Sequence, residues 1–279
     1  MTESRFKWLY AAVLVVSGLV LWQMLQYVIG HLLHLRPTRN LFDLCFIVFK
    51  YLHLPAPFAM VFVNVLITGT WGTIVWLSAQ HAWAAFKAGR FIRKLHAPEQ
   101  SRSIAAVYGL RPEQMRIIRH ASPLAMTVGL WRPRIVLSTG LIAMLEESEL
   151  HAVIEHEKCH LRYRDPLGIF LLTVLSKAMI YIPMFTWMAR KYPILIELRA
   201  DKYAIGQMAQ SADLGSALLK MLRVKTTWPI TMSHASFAES SMNLRIRHIL
   251  DPQLPLDVRW PVTRLALSVA ALVVLQGLI

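Results

Sequence analysis

Charge is scarce in this 279-residue chain. Only 16% of its residues are Asp, Glu, Lys or Arg, whereas a soluble domain carries about 25%. Together with 56% hydrophobic residues and a mean hydropathy of +0.44, the shortage points to an integral membrane protein. Acidic residues are scarcer than basic ones, 16 against 30, for a formal net charge of +14. An excess of that sign can mark a nucleic-acid binder, but no recognised fingerprint accompanies it. In a membrane protein Lys and Arg gather on the cytoplasmic side, near anionic lipid. The lipid bilayer is therefore an expected partner, and direct binding to nucleic acid is not. Cysteine is nearly missing: two residues, Cys45 and Cys159, exclude a disulfide scaffold. No long internal repeat or low-complexity tract is evident, and the length allows one medium domain or two small ones.

Uncharged apolar runs are present. Trp8 to Ile29 is long enough to cross a bilayer as a helix and follows Arg5 and Lys7. Its core is longer than that of a signal peptide and no small-x-small site follows it, so it reads as a retained anchor. Pro57 to Ala79 is a second span, in which Asn64, Thr68, Gly69 and Gly72 suit close helix packing. Lys87, Arg90, Arg93 and Lys94 come next, and the positive-inside rule places that end in the cytoplasm, with the N-terminus on the same side. Residues 30–56 between the spans read as an external loop with a short amphipathic helix, Asn40 to Leu52; His31 and His34 there read as interfacial rather than metal-binding. Trp260 to Ile279, with one Arg264, is a third run. The expected organisation is a membrane region over 1–94 with spans 8–29 and 57–79, a catalytic domain over 95–258, and a C-terminal transmembrane helix over 259–279. The localisation that follows is a multi-pass bacterial plasma-membrane protein.

From His96 to Asp165 the pattern changes to an α+β unit. A helix over Glu99 to Tyr108 stops at Gly109. Short β-like runs follow at Met115 to Arg119, Leu124 to Val128 and Arg134 to Leu137, the last two separated by Gly129 and Trp131-Arg132-Pro133. A helix over Leu141 to Leu145 leads to another from Glu146 to Leu161, whose acidic first turn suits the helix dipole. That helix holds His156-Glu157-Lys158-Cys159-His160. Residues four apart share a helix face, so His156 and His160 can point two imidazoles at one ion, with Glu157 one step round as general base. This is the zinc-peptidase arrangement, and Zn2+ is the expected cofactor.

The third ligand must come from elsewhere. Glu197 is the best candidate, with Asp201 one turn on, suited to accept the spare N–H of a ligand histidine. Leu167 to Ala189 looks like a further span, but parity opposes it. One crossing would put Glu197 on the far side of a core about 30 Å thick, eight residues after Ala189, at a rise of about 1.5 Å per residue. The run is therefore expected to be a membrane-abutting hairpin within residues 167–192, its helices broken near Ile182-Pro183, with Pro193 starting the next helix and Ser211-Ala212-Asp213 capping another. Trp228 to Ser241 reads as irregular, Met242 to Leu250 as a basic helix, and Pro252 with Pro255 as a linker. Arg134, Ile135 and Val136 are expected to cradle substrate if their strand lies at a sheet edge. Arg245, Arg247 and His234 are candidate oxyanion donors. His151 and Glu155 read as solvated or capping residues, and Cys159 as a small buried one.

The segments Pro133-Arg134-Ile135-Val136-Leu137-Ser138, Glu149 to His160 with its His-Glu-x-x-His, Arg162-x-x-Asp165, Glu197-x-x-Ala200-Asp201 and the later Arg245-Ile246 resemble the BlaR/MecR-type antirepressor membrane metallopeptidases. The resemblance implies a gluzincin-type zinc site with a cytoplasmic catalytic face. It also implies regulated proteolysis of a cytoplasmic protein, such as a winged-helix repressor. Lys158 and Cys159 depart from the residues usual inside the motif, and Ile182-Pro183 stands where Asn-Pro is common. No Ser-x-x-Lys sensor chemistry follows the last run, so an extracellular penicillin-binding sensor is not expected. The fold class expected is a mainly α integral membrane protein with about three transmembrane helices and a cytoplasmic α+β peptidase domain. Two other functions stay open: a housekeeping membrane metallopeptidase of the heat-shock or prenyl-protein-processing type, and a non-proteolytic transducer with structural zinc. Self-association as a homodimer is also open.

Overall fold

A computed structural model describes residues 3–33, 56–208, 211–224, 244–249, 251 and 261–276. His34, the expected helix Asn40 to Leu52, Trp228 to Ser241 with His234, and the Pro252 and Pro255 linker lie outside them. The chain is mostly helical and forms two compact units, one of Met1–Ser78, Leu172–Arg190 and Pro255–Ile279, the other of Ala79–Leu171 and Lys191–Leu254.

The first unit is built from α1 (Glu3–Leu32), the start of α2 (Ala56–Leu95), the end of α6 (Asp165–Ala178), the start of α7 (Pro183–Gly206) and α10 (Val262–Gln276). Among the described residues, two helices are long and apolar enough to cross a membrane, Phe6–Gly30 and Met60–Leu95. Their most apolar windows are only 22% and 17% buried within the protein. A soluble core helix would hide that surface, whereas here Trp22, Val61 and Trp76 point outward, as lipid-facing side chains do. The apolar stretch Val262–Val273 of α10 is shorter than the roughly 20 residues a span requires. At the turn between α6 and α7, Pro183 begins α7 and the Met184 N–H has no intrahelical partner. Ser268 Oγ of α10 accepts it at 2.8 Å, and the Tyr181 hydroxyl lies 3.4 Å from Thr70 Oγ1 of α2. Such partners are needed because an unpaired backbone N–H in apolar surroundings costs several kcal/mol, on the order of 1–3 or more.

Two local expectations fail. Pro193 lies inside α7 and does not start a helix. A proline forfeits one i→i−4 hydrogen bond, and buried Met188 and Ile196 on either side of it anchor the helix by packing. Ser211 precedes α8 (Ala212–Arg223) in helical backbone geometry and makes no side-chain cap; a capping residue needs the extended conformation.

The second unit holds a three-stranded sheet: β1 (Met115–Ile118), β2 (Ala125–Val128) and β3 (Arg134–Ser138). Its order is β1-β3-β2, with β3 parallel to β1 and antiparallel to β2. Side chains alternate across a sheet. Met115, Ile117, Ile135 and Leu137 pack with α3 (Pro98–Val107), α4 (Thr139–Met144) and α5 (Glu147–Tyr163), while Ile118, Leu124 and Val136 pack with Ile92 of α2. Ser138 ends β3 and caps α4, accepting from Leu141 N at 3.1 Å and Leu124 N at 2.9 Å. Gly140 follows because the backbone of Ala121 leaves no room for a Cβ, and Gly129 turns β2 into β3 at φ 103°. A third cluster, Ala152, Ala204, Leu214, Leu218 and Ile249, joins α5, α7, α8 and α9 (residues 244–249).

The order places β3 at the centre of the sheet. Ile135 and Val136 are fully buried and paired on both sides, so the expected edge-strand cradle at Arg134, Ile135 and Val136 is corrected. Arg134 alone is exposed. The strand whose outer edge is unpaired among the described residues is β2, on the α5 side of the sheet.

Candidate metal centre

The helix α5 that carries His156 and His160 starts at a capping box. Glu146 N donates to Glu149 Oε2 at 2.9 Å, satisfying a donor the helix cannot. Glu149, itself buried, also accepts from Lys220 Nζ at 2.7 Å and from Ser216 Oγ, so α8 is fastened to the base of α5. Burial would raise the Glu149 pKa, but Lys220, Ser216 and the Glu146 N–H outweigh it and hold it below the usual carboxylate range. At the other end Arg164 adopts left-handed geometry (φ 52°, ψ 43°) and its N–H donates to His160 O. That single reversed residue lets Asp165 begin α6 beside the last turn of α5.

His156, His160 and Glu197 offer ligand atoms that all lie within 4.8 Å of one another. His156 Nε2 is 3.1 Å from His160 Nε2, 3.4 Å from Glu197 Oε2, and His160 Nε2 is 3.6 Å from Glu197 Oε1. Each histidine turns its other nitrogen to a buried aspartate. His156 Nδ1 is 2.9 Å from Asp201 Oδ1, an ion-pair contact without hydrogen-bond alignment, and His160 Nδ1 is 2.8 Å from Asp165 Oδ2. Each aspartate is in turn held by an arginine. Arg245 donates from Nε and one terminal nitrogen to Asp201 at 2.8 and 2.7 Å, and its other terminal nitrogen reaches Glu197 Oε2 at 3.0 Å. Arg199 donates to Asp165 and lies over the Tyr163 ring, 4.0 Å from its centre. Two His–Asp–Arg chains thus converge on one cluster of ligand atoms.

These contacts decide whether a cation fits. The hydrogen bond to Asp165 at His160 Nδ1, and the Asp201 carboxylate close to His156 Nδ1, favour a proton on each Nδ1 and leave Nε2 as an acceptor. Two such nitrogens and a carboxylate then face one another with no donor among them. A metal ion satisfies that set, and His-His-Glu is a donor set that suits zinc. Without a cation the cluster attracts a proton. Burial would lower the His156 pKa, but the carboxylates of Asp201 and Glu197 outweigh it and hold it at about 9. Burial would raise Glu197, yet Arg245 first and the two histidines after it keep its carboxyl well below the usual range. Asp201 is likewise held down, by Arg245 and His156 against burial. Arg245 stays firmly protonated, the two acids outweighing its burial.

The Glu157 carboxylate sits against β2: Thr127 Oγ1 is 2.7 Å from Glu157 Oε2 and 3.2 Å from Glu157 O. The Lys158 ammonium turns to Glu155 at 2.7 Å, and Cys159 is fully buried. Glu155 is buried rather than solvated, and His151 stacks on Tyr108. Arg245 faces carboxylates with all three guanidinium nitrogens, which leaves it holding Asp201 and Glu197 rather than open as an oxyanion donor. Arg247 is exposed. Sequence reasoning did not single out Asp165 as a histidine partner, Arg199 or Thr127. Asp165 stands five residues after His160 beside Pro166 and reads in the sequence only as the end of the α+β unit. Arg199 lay between Glu197 and Asp201. Nothing in the sequence around Thr127 marks it, since a strand accounts for a threonine by itself.

A helix-borne histidine pair with an intervening glutamate, joined by a carboxylate from a second helix on a chain with bilayer-length apolar helices, defines a membrane metallopeptidase. The chain belongs to the BlaR1 peptidase M56 family, whose sequence model matches residues 59–249. It is also similar to a protein described as Protease HtpX homolog from Acidiphilium cryptum (strain JF-5), at 35% identity over 77 residues. That match covers 27% of each chain, so the likeness is to about a quarter of that relative.

Proposed function

We propose that this protein is a zinc-dependent endopeptidase that hydrolyses a cytoplasmic protein, a transcriptional repressor, in regulated signalling proteolysis. The observation that carries the peptidase reading is the convergence of His156, His160 and Glu197 beside a glutamate anchored to an edge strand. His156 Nε2, His160 Nε2 and Glu197 would hold the ion, while Asp201 and Asp165 orient the imidazoles. Zinc supplies, when bound, a Lewis acid that activates water and polarises the scissile carbonyl. Glu157 takes the proton from the attacking water and returns it to the leaving amine. An extended substrate segment can pair with the outer edge of β2, which sits against α5.

Lys87, Arg90, Arg93 and Lys94 at the end of α2 favour a cytoplasmic site under the positive-inside rule. The sequence run Trp260 to Ile279, of which α10 is the described part, is proposed as a third crossing on its apolar composition. The repressor substrate rests on the family resemblance alone. The likeness to a protein described as Protease HtpX homolog favours a second reading, a housekeeping membrane metallopeptidase.

Glu157→Gln in the full-length protein tests the chemistry. Wild type and variant should both carry close to one zinc per chain, and the variant should lose at least about 100-fold in cleavage of labelled casein. A zinc-free wild type, or a variant as active as wild type, would overturn the peptidase reading. Substrate trapping with the same variant separates the two roles: one winged-helix repressor supports signalling, and a broad set of proteins supports the housekeeping reading.

A further inference from the structure

We propose that Thr127 is a positioning residue for catalysis: its hydroxyl fixes one oxygen of the Glu157 carboxylate against the edge strand and leaves the other to carry the proton. The inference rests on the reading of Glu157 as general base and adds to it the element that aims it. A threonine hydroxyl has one hydrogen. Of its two contacts with Glu157, the 2.7 Å approach to Oε2 is the charge-assisted bond, and the backbone oxygen at 3.2 Å is the weaker alternative.

The placement is specific. In β2, Ala125 and Thr127 share one face, and Met126 and Val128 the other, where they pack with Ile92, Leu95 and Val136. The Thr127 side chain therefore points to α5, and its backbone is fixed by pairing with Ile135 of the central strand. Glu157 is buried beside a ligand histidine, and the Thr127 hydroxyl is the partner that sets the direction of its carboxylate. Threonine is stiff at χ1, so the hydroxyl is itself held in direction. The bond ties the proton-transferring group to the strand whose outer edge is open to a substrate backbone. A substrate that pairs with β2 would then be in register with Glu157 through a single side chain. With Oε2 engaged, Oε1 is the atom that accepts the proton from water and delivers it to the leaving amine.

The test compares Thr127→Val, which keeps the branched shape without the hydroxyl, with Thr127→Ser, which keeps the hydroxyl. Full-length protein loaded with zinc is assayed on labelled casein, and its metal content is measured. We expect Thr127→Val to lower kcat about tenfold or more with KM within twofold and zinc unchanged, and Thr127→Ser to recover most of the rate. A readout independent of turnover is the infrared carboxylate stretch assigned to Glu157 by its loss in Glu157→Gln. That band should shift in Thr127→Val and return in Thr127→Ser, with or without added substrate. An unshifted band, or a serine variant as impaired as the valine one, would overturn the proposal. So would loss of zinc in Thr127→Val, which would make the residue structural. If Glu157→Gln itself cleaves casein like wild type, the peptidase reading fails, whereas the infrared result still decides whether Thr127 holds Glu157.

Discussion

Replacing Asp165 by Asn removes the negative charge behind His160 while keeping the side chain's shape. In the native protein His160 Nδ1 is 2.8 Å from Asp165 Oδ2, and Asp165 is only 2% exposed, so water cannot take over the role. Partners of this kind are worth roughly 10–100-fold in metal affinity, and the dryness of this one argues for the upper half, about 30–100-fold weaker zinc binding. Stability should fall as well, because Arg199 loses its counter-ion. Breaking a fully buried pair costs about 3–5 kcal/mol. Arg199 retains 18% exposure and its stacking on Tyr163, which lowers the expected cost to about 2 kcal/mol. Removing both partners, Asp165→Asn with Arg199→Met, should then cost less than the sum of the single changes by about 1–2 kcal/mol. The assays are chelator competition for zinc affinity and denaturant unfolding of the metal-free protein in detergent. Zinc affinity within threefold of wild type would refute the role given to Asp165. Strictly additive stabilities would refute the Asp165–Arg199 coupling.

Two further predictions follow from packing and titration. A Cβ at Gly168 would meet the ring and hydroxyl of Tyr192, where α6 passes the helix that brings Glu197; Gly168→Ala should cost about 1–3 kcal/mol from overpacking and weaken zinc binding, and unchanged melting with unchanged zinc affinity would refute it. Glu149 has a depressed pKa, so its contribution is complete above the unfolded carboxyl value near ~4.3 and is lost as pH falls through its lower folded value; Glu149→Gln should therefore flatten the acid limb of the stability–pH curve, and an unchanged limb would refute the assignment.

Local pattern was legible where it is set locally. The apolar stripe of Leu150, Val153, Ile154 and Leu161 marks α5, and short β-like runs set off by turn residues mark the three strands to within about a residue of where they lie. Strand order was not legible. Arg134 to Leu137 has the composition of either an edge or a centre, and only its pairing with both Met115–Ile118 and Ala125–Val128 decides it. Pro193 misled because its local rule, that proline opens helices, was outweighed by packing on both sides. Of the residues around the imidazoles, Glu197 and Asp201 were found through helical spacing. Asp165 depends on the reversed backbone at Arg164, and Thr127 on a strand meeting a helix 30 positions away; neither leaves a periodic trace.

The paired arginines have an electrostatic consequence. Four carboxylates, those of Glu157, Asp165, Glu197 and Asp201, gather at the site with two guanidiniums, Arg199 and Arg245. With both imidazoles neutral the cluster carries two negative charges. A divalent ion brings it to neutrality, which a monovalent ion falls short of and a trivalent ion overshoots, in surroundings where net charge is costly. A divalent charge thus suits this cluster on electrostatic grounds alone, and in the metal-free protein the proton held on His156 takes part of that place.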